Sequence, residues 1–189
     1  MAEYAVVTVG DYLAKQPDAL SLEASALPGM GMTGLAVVEA GEFESGEKVL
    51  VIGAGGSLGS VVVPMPTGRV EVIATAAGED GNYVRMLGAG SSIDYLAADV
   101  TVESLCRHPG GVDTIINLAL RGEPLIGAGR AIRPGGRLLS TTSGTPEQSE
   151  FGREDLSVTV VYRRAEGPEP HIPRHRRPPA RRHAARSGR

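Results

Sequence analysis

The sequence predicts an α/β fold built around a doubly wound parallel sheet. Short apolar runs recur along the chain and alternate with helix-length segments, which is typical of repeated βαβ units. Hydrophobic residues make up 41% of the chain but aromatic residues only 4%, so the core must consist mainly of valine, leucine, isoleucine and alanine. Such a core fits a parallel sheet that is covered by helices on both faces.

Six apolar runs are predicted to be strands. The first, at residues 48–52 (KVLVI), is continuously apolar after Lys48 and is followed by Gly53. The others lie at residues 70–74, 92–95, 112–117, 137–141 and 157–162. Helices are expected at about residues 32–41, 80–87, 102–107 and 123–132, between glycine, proline and aspartate residues that commonly begin or end helices.

The helix that follows the first strand is predicted to be unusually short. It should begin near Ser57, but Pro64 and Pro66 fall within its normal length. A proline inside a helix removes a backbone donor and clashes with the preceding turn, at about 3 kcal/mol or more. We therefore expect little more than one turn, at about residues 57–63.

The segment that joins this strand to this helix, residues 53–59 (GAGGSLG), is rich in glycine. Small residues let the backbone turn sharply and approach a pyrophosphate, whose charge is held by the N–H groups of the first helical turn. Because a strand precedes the glycines and further βα units follow them, the pattern predicts a Rossmann-type dinucleotide-binding domain. The alternative is that these glycines serve only a tight β–α turn.

The end of the second strand bears on the choice of cofactor. NAD-selective sites tend to place an acidic residue there, about twenty residues past the glycines. This chain has Thr75, Ala76 and Ala77 at that point, with no carboxylate until Glu79. Small neutral residues tolerate the 2′-phosphate of NADP, so NADP is favoured. NAD remains the alternative because no Arg or Lys adjoins these residues to hold that phosphate.

Seven blocks of the sequence resemble, in order and spacing, the zinc-independent medium-chain dehydrogenase/reductases, and most closely the NADPH:quinone oxidoreductase group. They span roughly residues 2–144 and read AEYAVV, KQPDALSLEASALPGMGMTGLAVVEAG, GEKVLVIGAGGSLGS, EVIATA, VRMLGAGSSIDY, GVDTIINLA and IRPGGRLLS. The resemblance implies hydride transfer from NADPH to a quinone or an enone-type carbonyl, without zinc. The resemblance does not identify a catalytic acid among the residues of this chain, so the catalytic residues stay unassigned.

The resemblance also implies which residues contact the cofactor. Five of them match the pyrophosphate-binding block: Gly53, Gly56, Ser57, Leu58 and Gly59. The others match positions near the nicotinamide (Thr33), at the adenosine ribose (Thr75, Ala76), near the adenine nucleotide end (Tyr95), and at the ends of the fourth strand (Asn117, Leu118) and the fifth (Ser140, Thr141).

Two departures from the family pattern bear on function. Glu79 and Asp80 stand where the family commonly has a basic residue, which weakens the case for NADP. The family also has a substrate domain before the equivalent of Ala2 and a returning segment after the equivalent of Tyr162. We therefore expect a truncated enzyme, with residues 1–20 a remnant of the catalytic domain and residues 21–162 the dinucleotide-binding domain. The alternative is a catalytically inactive nucleotide-binding remnant.

The last 27 residues differ in composition from the rest of the chain. Residues 163–189 contain nine Arg and two Glu, whereas the remaining residues are acidic in sum. This Arg/Pro-rich tail has Ile172 as its one large aliphatic residue, so it cannot bury a core and is expected to be disordered. A degenerate or out-of-frame terminus is favoured. Nucleic-acid binding, with arginines neutralising phosphates, is the less favoured function.

The single cysteine and the lack of a long apolar run exclude several classes of protein. Cys106 is the lone cysteine, which excludes an internal disulfide and a multi-cysteine zinc site, and no metal is expected. No signal peptide opens the chain, and no apolar run reaches the roughly 18–20 residues that span a bilayer. We expect a cytoplasmic protein that stays out of the membrane and acts on a small-molecule quinone or carbonyl substrate. Self-association into a homo-oligomer is compatible with this interpretation.

Overall fold

Six parallel strands form a sheet in the computed structural model, which describes residues 27–161. They are β1 (Lys48–Ile52), β2 (Glu71–Ala76), β3 (Ser91–Asp94), β4 (Val112–Asn117), β5 (Ile132–Ser140) and β6 (Ser157–Val160). Their order is β3-β2-β1-β4-β5-β6, and each neighbouring pair is parallel. The predicted α/β fold is thus confirmed. The chain leaves β1 toward one edge of the sheet and returns to β4 on its other side, so a crevice is expected at the carboxyl ends of these two strands.

Helices cover both faces of the sheet. They are α1 (Leu27–Gly41), α2 (Gly59–Val62), α3 (Gly81–Met86), α4 (Val100–Arg107) and α5 (Glu123–Gly129). Val49 of β1 packs in one apolar cluster with Val37 of α1, whereas Leu50 packs in a second cluster with Leu125 of α5. Because successive side chains of a strand point to opposite faces, a strand covered on both faces is expected to be apolar where it is buried, as β1 is from Val49 to Ile52.

The helix after β1, α2, is short for the reason that the sequence predicts. The Val63 N–H still donates to the Gly59 carbonyl at 2.9 Å, but Pro64 follows at once and has no N–H to donate. The chain then turns, and the Met65 N–H donates to the Val62 carbonyl at 3.2 Å. α2 therefore consists of four residues, and the predicted interruption is confirmed.

Three predicted boundaries differ most from the observed ones. α1 already includes Leu27, so it does not start near Met32 as predicted; Pro28 is compatible with the first turn of a helix, where its missing N–H has no helical partner to lose. α5 ends at Gly129, and β5 begins at Ile132 and not at Arg137. The register between β4 and β5 shifts between Val112 and Thr114, so residues 133–136 form an irregularity within β5 that apolar patterning does not reveal.

Several predicted features lie outside the described residues, namely the remnant at residues 1–20 and the tail at residues 163–189. Within residues 27–161, no helix is both long enough and apolar enough to cross a membrane. The same residues contain no group of three or more His, Cys, Asp and Glu side chains that could hold a metal ion.

A polar clamp holds the irregular start of β5. The Arg153 guanidinium donates to the Ile132 carbonyl at 2.8 Å and forms an ion pair with Asp155 at 2.8 Å. The Asp155 carboxylate also accepts the Gly135 N–H at 2.9 Å. The hydrogen bonds from Arg153 and then from Gly135 lower the pKa of Asp155 from its usual 3.8 to about 2.

This clamp predicts a pH-dependent contribution to stability. Since the pKa of Asp155 is lower in the folded chain, its contribution should be fully present above a pH of about 4 and lost as pH falls toward 2. We expect the urea midpoints of the wild type and Asp155→Asn to differ at neutral pH and to converge in acid. Glu154→Gln, a neighbouring exposed site, serves as the control. A midpoint difference that stays constant from pH 6 to pH 2.5 would contradict the assignment.

Candidate dinucleotide-binding site

The glycine-rich turn begins where β1 ends. Gly53 has φ +85°, a conformation that side-chain-bearing residues rarely adopt. Its N–H donates to Thr75 Oγ1 at 3.0 Å, which ties the start of the turn to the end of β2. The Gly56 N–H donates to the Gly53 carbonyl at 3.1 Å and closes the bend. The turn is therefore held by one hydrogen bond to β2 and by one hydrogen bond within the bend.

Gly59 marks the point where the turn enters α2. A Cβ atom there would lie 2.3 Å from the Ala54 carbonyl oxygen and 2.5 Å from that of Gly53. Both obstacles are backbone atoms, so a change of rotamer cannot relieve the clash. Gly59 thus permits the close packing of helix against strand end that the last glycine of a Rossmann-type turn provides.

Part of the backbone in this turn is left free to bind an anion. Among the described residues, no acceptor meets the N–H groups of Ser57, Leu58 and Gly59. Gly55, Gly56 and Ser57 are exposed to solvent. Successive unpaired N–H groups at such a turn form an electropositive concavity that suits a phosphate or a pyrophosphate.

A cleft of about 350 Å³ opens beside the turn, at the crevice that the strand order creates. The turn, the end of β2 and the segments after β3 and β4 contribute its lining: Gly53, Gly55, Gly56, Thr75, Ala76, Ala77, Asp80, Tyr95, Leu118 and Ala119. A second cleft of about 400 Å³ shares Gly55 and Gly56 and also contacts Ser57. The turn thus lies between two clefts that could receive the two ends of an extended dinucleotide.

The structure brings together about half of the residues predicted to contact the cofactor. Those that line the first cleft are Gly53, Gly56, Thr75, Ala76, Tyr95 and Leu118. Leu58 and Gly59 belong to the adjoining turn. Thr33 lines neither cleft, and its Oγ1 donates to the Gly29 carbonyl of its own helix at 3.0 Å. Sequence reasoning omitted Asp80, although the acidic pair after the second strand was the signal that could have identified it.

Asn117 and Ser140 act on the cleft indirectly. Both are fully buried, and Asn117 Nδ2 donates to Ser140 Oγ at 2.9 Å. Asn117 also donates to the Leu120 carbonyl at 2.9 Å and accepts the Leu120 N–H at 2.8 Å. These bonds hold the segment that carries Leu118 and Ala119 into the cleft wall. Thr141 joins the same region, since its N–H donates to the Asn117 carbonyl at 3.1 Å.

Asn117→Ala should therefore disturb both stability and the cleft. Loss of the side chain leaves the partly buried N–H of Leu120 and the buried hydroxyl of Ser140 without a hydrogen-bond partner on Asn117, and an unsatisfied buried group costs about 1–3 kcal/mol. We expect a lower urea midpoint and weaker binding of a dinucleotide in a fluorescence titration. Ser143→Ala, an exposed site after β5, is the control. A variant at Asn117 with the parent's midpoint would show that these bonds do not stabilise the segment.

The chain is similar in sequence to known reductases. Over 153 residues the chain is 31% identical to the medium chain reductase pydE of Acremonium sp, a match that covers 79% of this chain and 40% of that protein. The chain is related to the medium-chain reductases. The chain is also similar to a second reductase, the chloroplastic NADPH-dependent alkenal/one oxidoreductase of Arabidopsis thaliana. The two are 30% identical over 114 residues, which cover 58% of this chain and 28% of that protein.

Solved structures of quinone oxidoreductases share the fold of this chain. The quinone oxidoreductase of Coxiella burnetii superposes with a TM-score of 0.71 at 22% identity, covering 80% of this chain and 47% of that one. No protein-family model matches the chain. The predicted resemblance is confirmed, and the chain spans less than half the length of each of these relatives.

Proposed function

We propose that this chain forms the dinucleotide-binding part of an oxidoreductase that reduces an enone-type carbonyl or a quinone with hydride from a nicotinamide cofactor. The observation that carries the proposal is the cleft beside β1. Gly53, Gly55 and Gly56 of the glycine-rich turn line it, and no described residue accepts a hydrogen bond from the N–H groups of the next three residues, Ser57, Leu58 and Gly59. Binding at the carboxyl ends of the strands, where the strand order reverses, is the general rule for sheets of this kind.

The residues present fit a dinucleotide. The free N–H groups of the turn suit the pyrophosphate, and Gly55 and Gly56 allow the ligand to approach the backbone closely. Thr75, Ala76 and Tyr95 line the part of the cleft that we assign to the adenosine, and Leu118 and Ala119 also belong to its lining. The nicotinamide supplies the hydride when bound, while this chain holds and orients it. No catalytic acid is assigned to the described residues.

The substrate class rests on the relatives. One is named an alkenal/one oxidoreductase and another a quinone oxidoreductase, so reduction of an activated carbonyl compound is the activity we propose for this chain. The NADPH dependence in the first of these names supports a nicotinamide cofactor. The choice between NADPH and NADH depends on the charge around the cleft.

Two measurements on the full chain test the proposal. NADH and NADPH are titrated by nucleotide fluorescence, for which the absence of Trp keeps the background low. Oxidation of the bound nucleotide is then followed by absorbance after addition of but-3-en-2-one or 1,4-benzoquinone. We expect saturable binding and acceptor-dependent oxidation. Binding without oxidation would favour the alternative, an inactive nucleotide-binding remnant. Absence of saturable binding to either nucleotide would contradict both.

A further inference from the structure

The carboxylate of Asp80 lies at the wall of the cleft. β2 ends at Ala76, and a 3₁₀ turn, Gly78–Asp80, then brings the chain back beside the glycine-rich turn. A Cβ atom placed on Gly55 would lie 3.6 Å from Asp80 Oδ2, which is ordinary van der Waals contact. Asp80 therefore stands between the end of β2 and the glycine-rich turn, although the sequence places it four residues beyond the strand.

This carboxylate has no compensating cation in the cleft. None of the residues that line the cleft is Lys, Arg or His. Within the described part of the chain, the Asp80 side chain makes no cap hydrogen bond to α3 and no ion pair. A second carboxylate lies nearby, since Asp94 Oδ2 would be 2.8 Å from a Cβ atom on Gly78 of the same 3₁₀ turn. This end of the cleft is therefore negative.

The two nicotinamide dinucleotides respond differently to such a charge. In Rossmann-type sites, a carboxylate after the second strand accepts hydrogen bonds from the ribose hydroxyl of NAD, whereas the 2′-phosphate of NADP needs a cation. A phosphate monoester carries a charge of about −1.5 to −2 at neutral pH, so an unpaired carboxylate beside it repels it.

We propose that Asp80 is a specificity-determining residue that makes this site prefer NADH to NADPH. The inference rests on the proposed function and deepens it by naming the cofactor. It differs from the NADP preference expected from the neutral residues at the end of the second strand. The reason is that the 3₁₀ turn after Ala77 returns a carboxylate to the cleft that those residues alone do not provide.

The test compares dissociation constants of NADH and NADPH for the wild-type chain, Asp80→Asn and Glu79→Gln, measured by nucleotide fluorescence. Glu79 is the matched control, because it is an exposed acid of the same 3₁₀ turn that does not line the cleft. We expect the wild type to bind NADH about tenfold more tightly than NADPH, a ratio that the repulsion between two close like charges at a protein surface suffices to produce. Asp80→Asn should bring this ratio close to one, and Glu79→Gln should leave it unchanged.

Each outcome separates the inference from the function on which it rests. Tighter binding of NADPH by the wild type, or a ratio that Asp80→Asn leaves unchanged, would overturn the role of Asp80 and leave the dinucleotide site intact. Failure of both dinucleotides to bind would overturn the proposed function and this inference together. Competition by 5′-AMP against 2′,5′-ADP provides a second readout, since these probes differ only in the 2′-phosphate. We expect 5′-AMP to compete at lower concentration than 2′,5′-ADP in the wild type, and the two to compete equally in Asp80→Asn.

Discussion

Gly59→Ala is expected to abolish saturable dinucleotide binding and to lower the free energy of unfolding by about 1–3 kcal/mol, the usual cost of forcing extra volume into a packed site. The added Cβ would lie 2.3 Å from the Ala54 carbonyl oxygen, so either α2 or the turn must move. Such a movement would displace the N–H groups of Ser57 and Leu58 that we assign to the pyrophosphate. Urea unfolding followed by circular dichroism and an NADH titration measure the two effects.

Gly55→Ala is the matched control for this prediction. Gly55 belongs to the same turn, but its nearest obstacle to a Cβ atom is Asp80 Oδ2 at 3.6 Å. We therefore expect the parent's unfolding midpoint from Gly55→Ala, even if the new methyl group weakens nucleotide binding. The packing role of Gly59 would be refuted by equal unfolding midpoints for the two alanine variants.

Arg137→Met should have the second large effect, on stability alone. The Arg137 guanidinium lies 2.9 Å and 2.6 Å from the two carboxylate oxygens of Glu47, whose side chain is 9% exposed. Arg137 belongs to β5, whereas Glu47 precedes β1, so the pair links strands on either side of β4. Removing the cation leaves a buried carboxylate unpaired, and we expect the free energy of unfolding to fall by about 3 kcal/mol.

Two comparisons distinguish pairing from packing at this position. In the double variant Glu47→Gln/Arg137→Met no charge remains buried, so it should be less destabilised than the sum of the single variants, by about 1–3 kcal/mol. Arg107→Met removes an exposed ion pair to Glu103, with side chains 37% and 34% exposed, and should cost no more than about 1 kcal/mol. If Arg137→Met costs as little as Arg107→Met, burial does not strengthen the Glu47 pair.

The elements that the sequence predicted best are those with a strong local signal. β1 and β4 have the predicted bounds, because each contains an apolar run that suits a strand buried on both faces: Val49–Ile52 in β1, and Ile115 with Ile116 in β4. The end of α2 was also predictable, since a proline cannot donate the hydrogen bond that continues a helix. The start of β5 was not predictable, because pairing with β4 extends the strand through Pro134 and Gly135, which locally disfavour it.

The sequence by itself determined the parallel α/β sheet, its buried strands and the position of the glycine-rich turn. These features depend on each residue's own backbone preferences and on apolar periodicity, both of which are local. Only the tertiary structure decided which polar groups meet at the cleft. Asn117 bonds Ser140, 23 residues away, and Asp80 returns to the side of Gly55. Such contacts depend on how strands and turns are placed in space, and a linear pattern of residues does not contain that information.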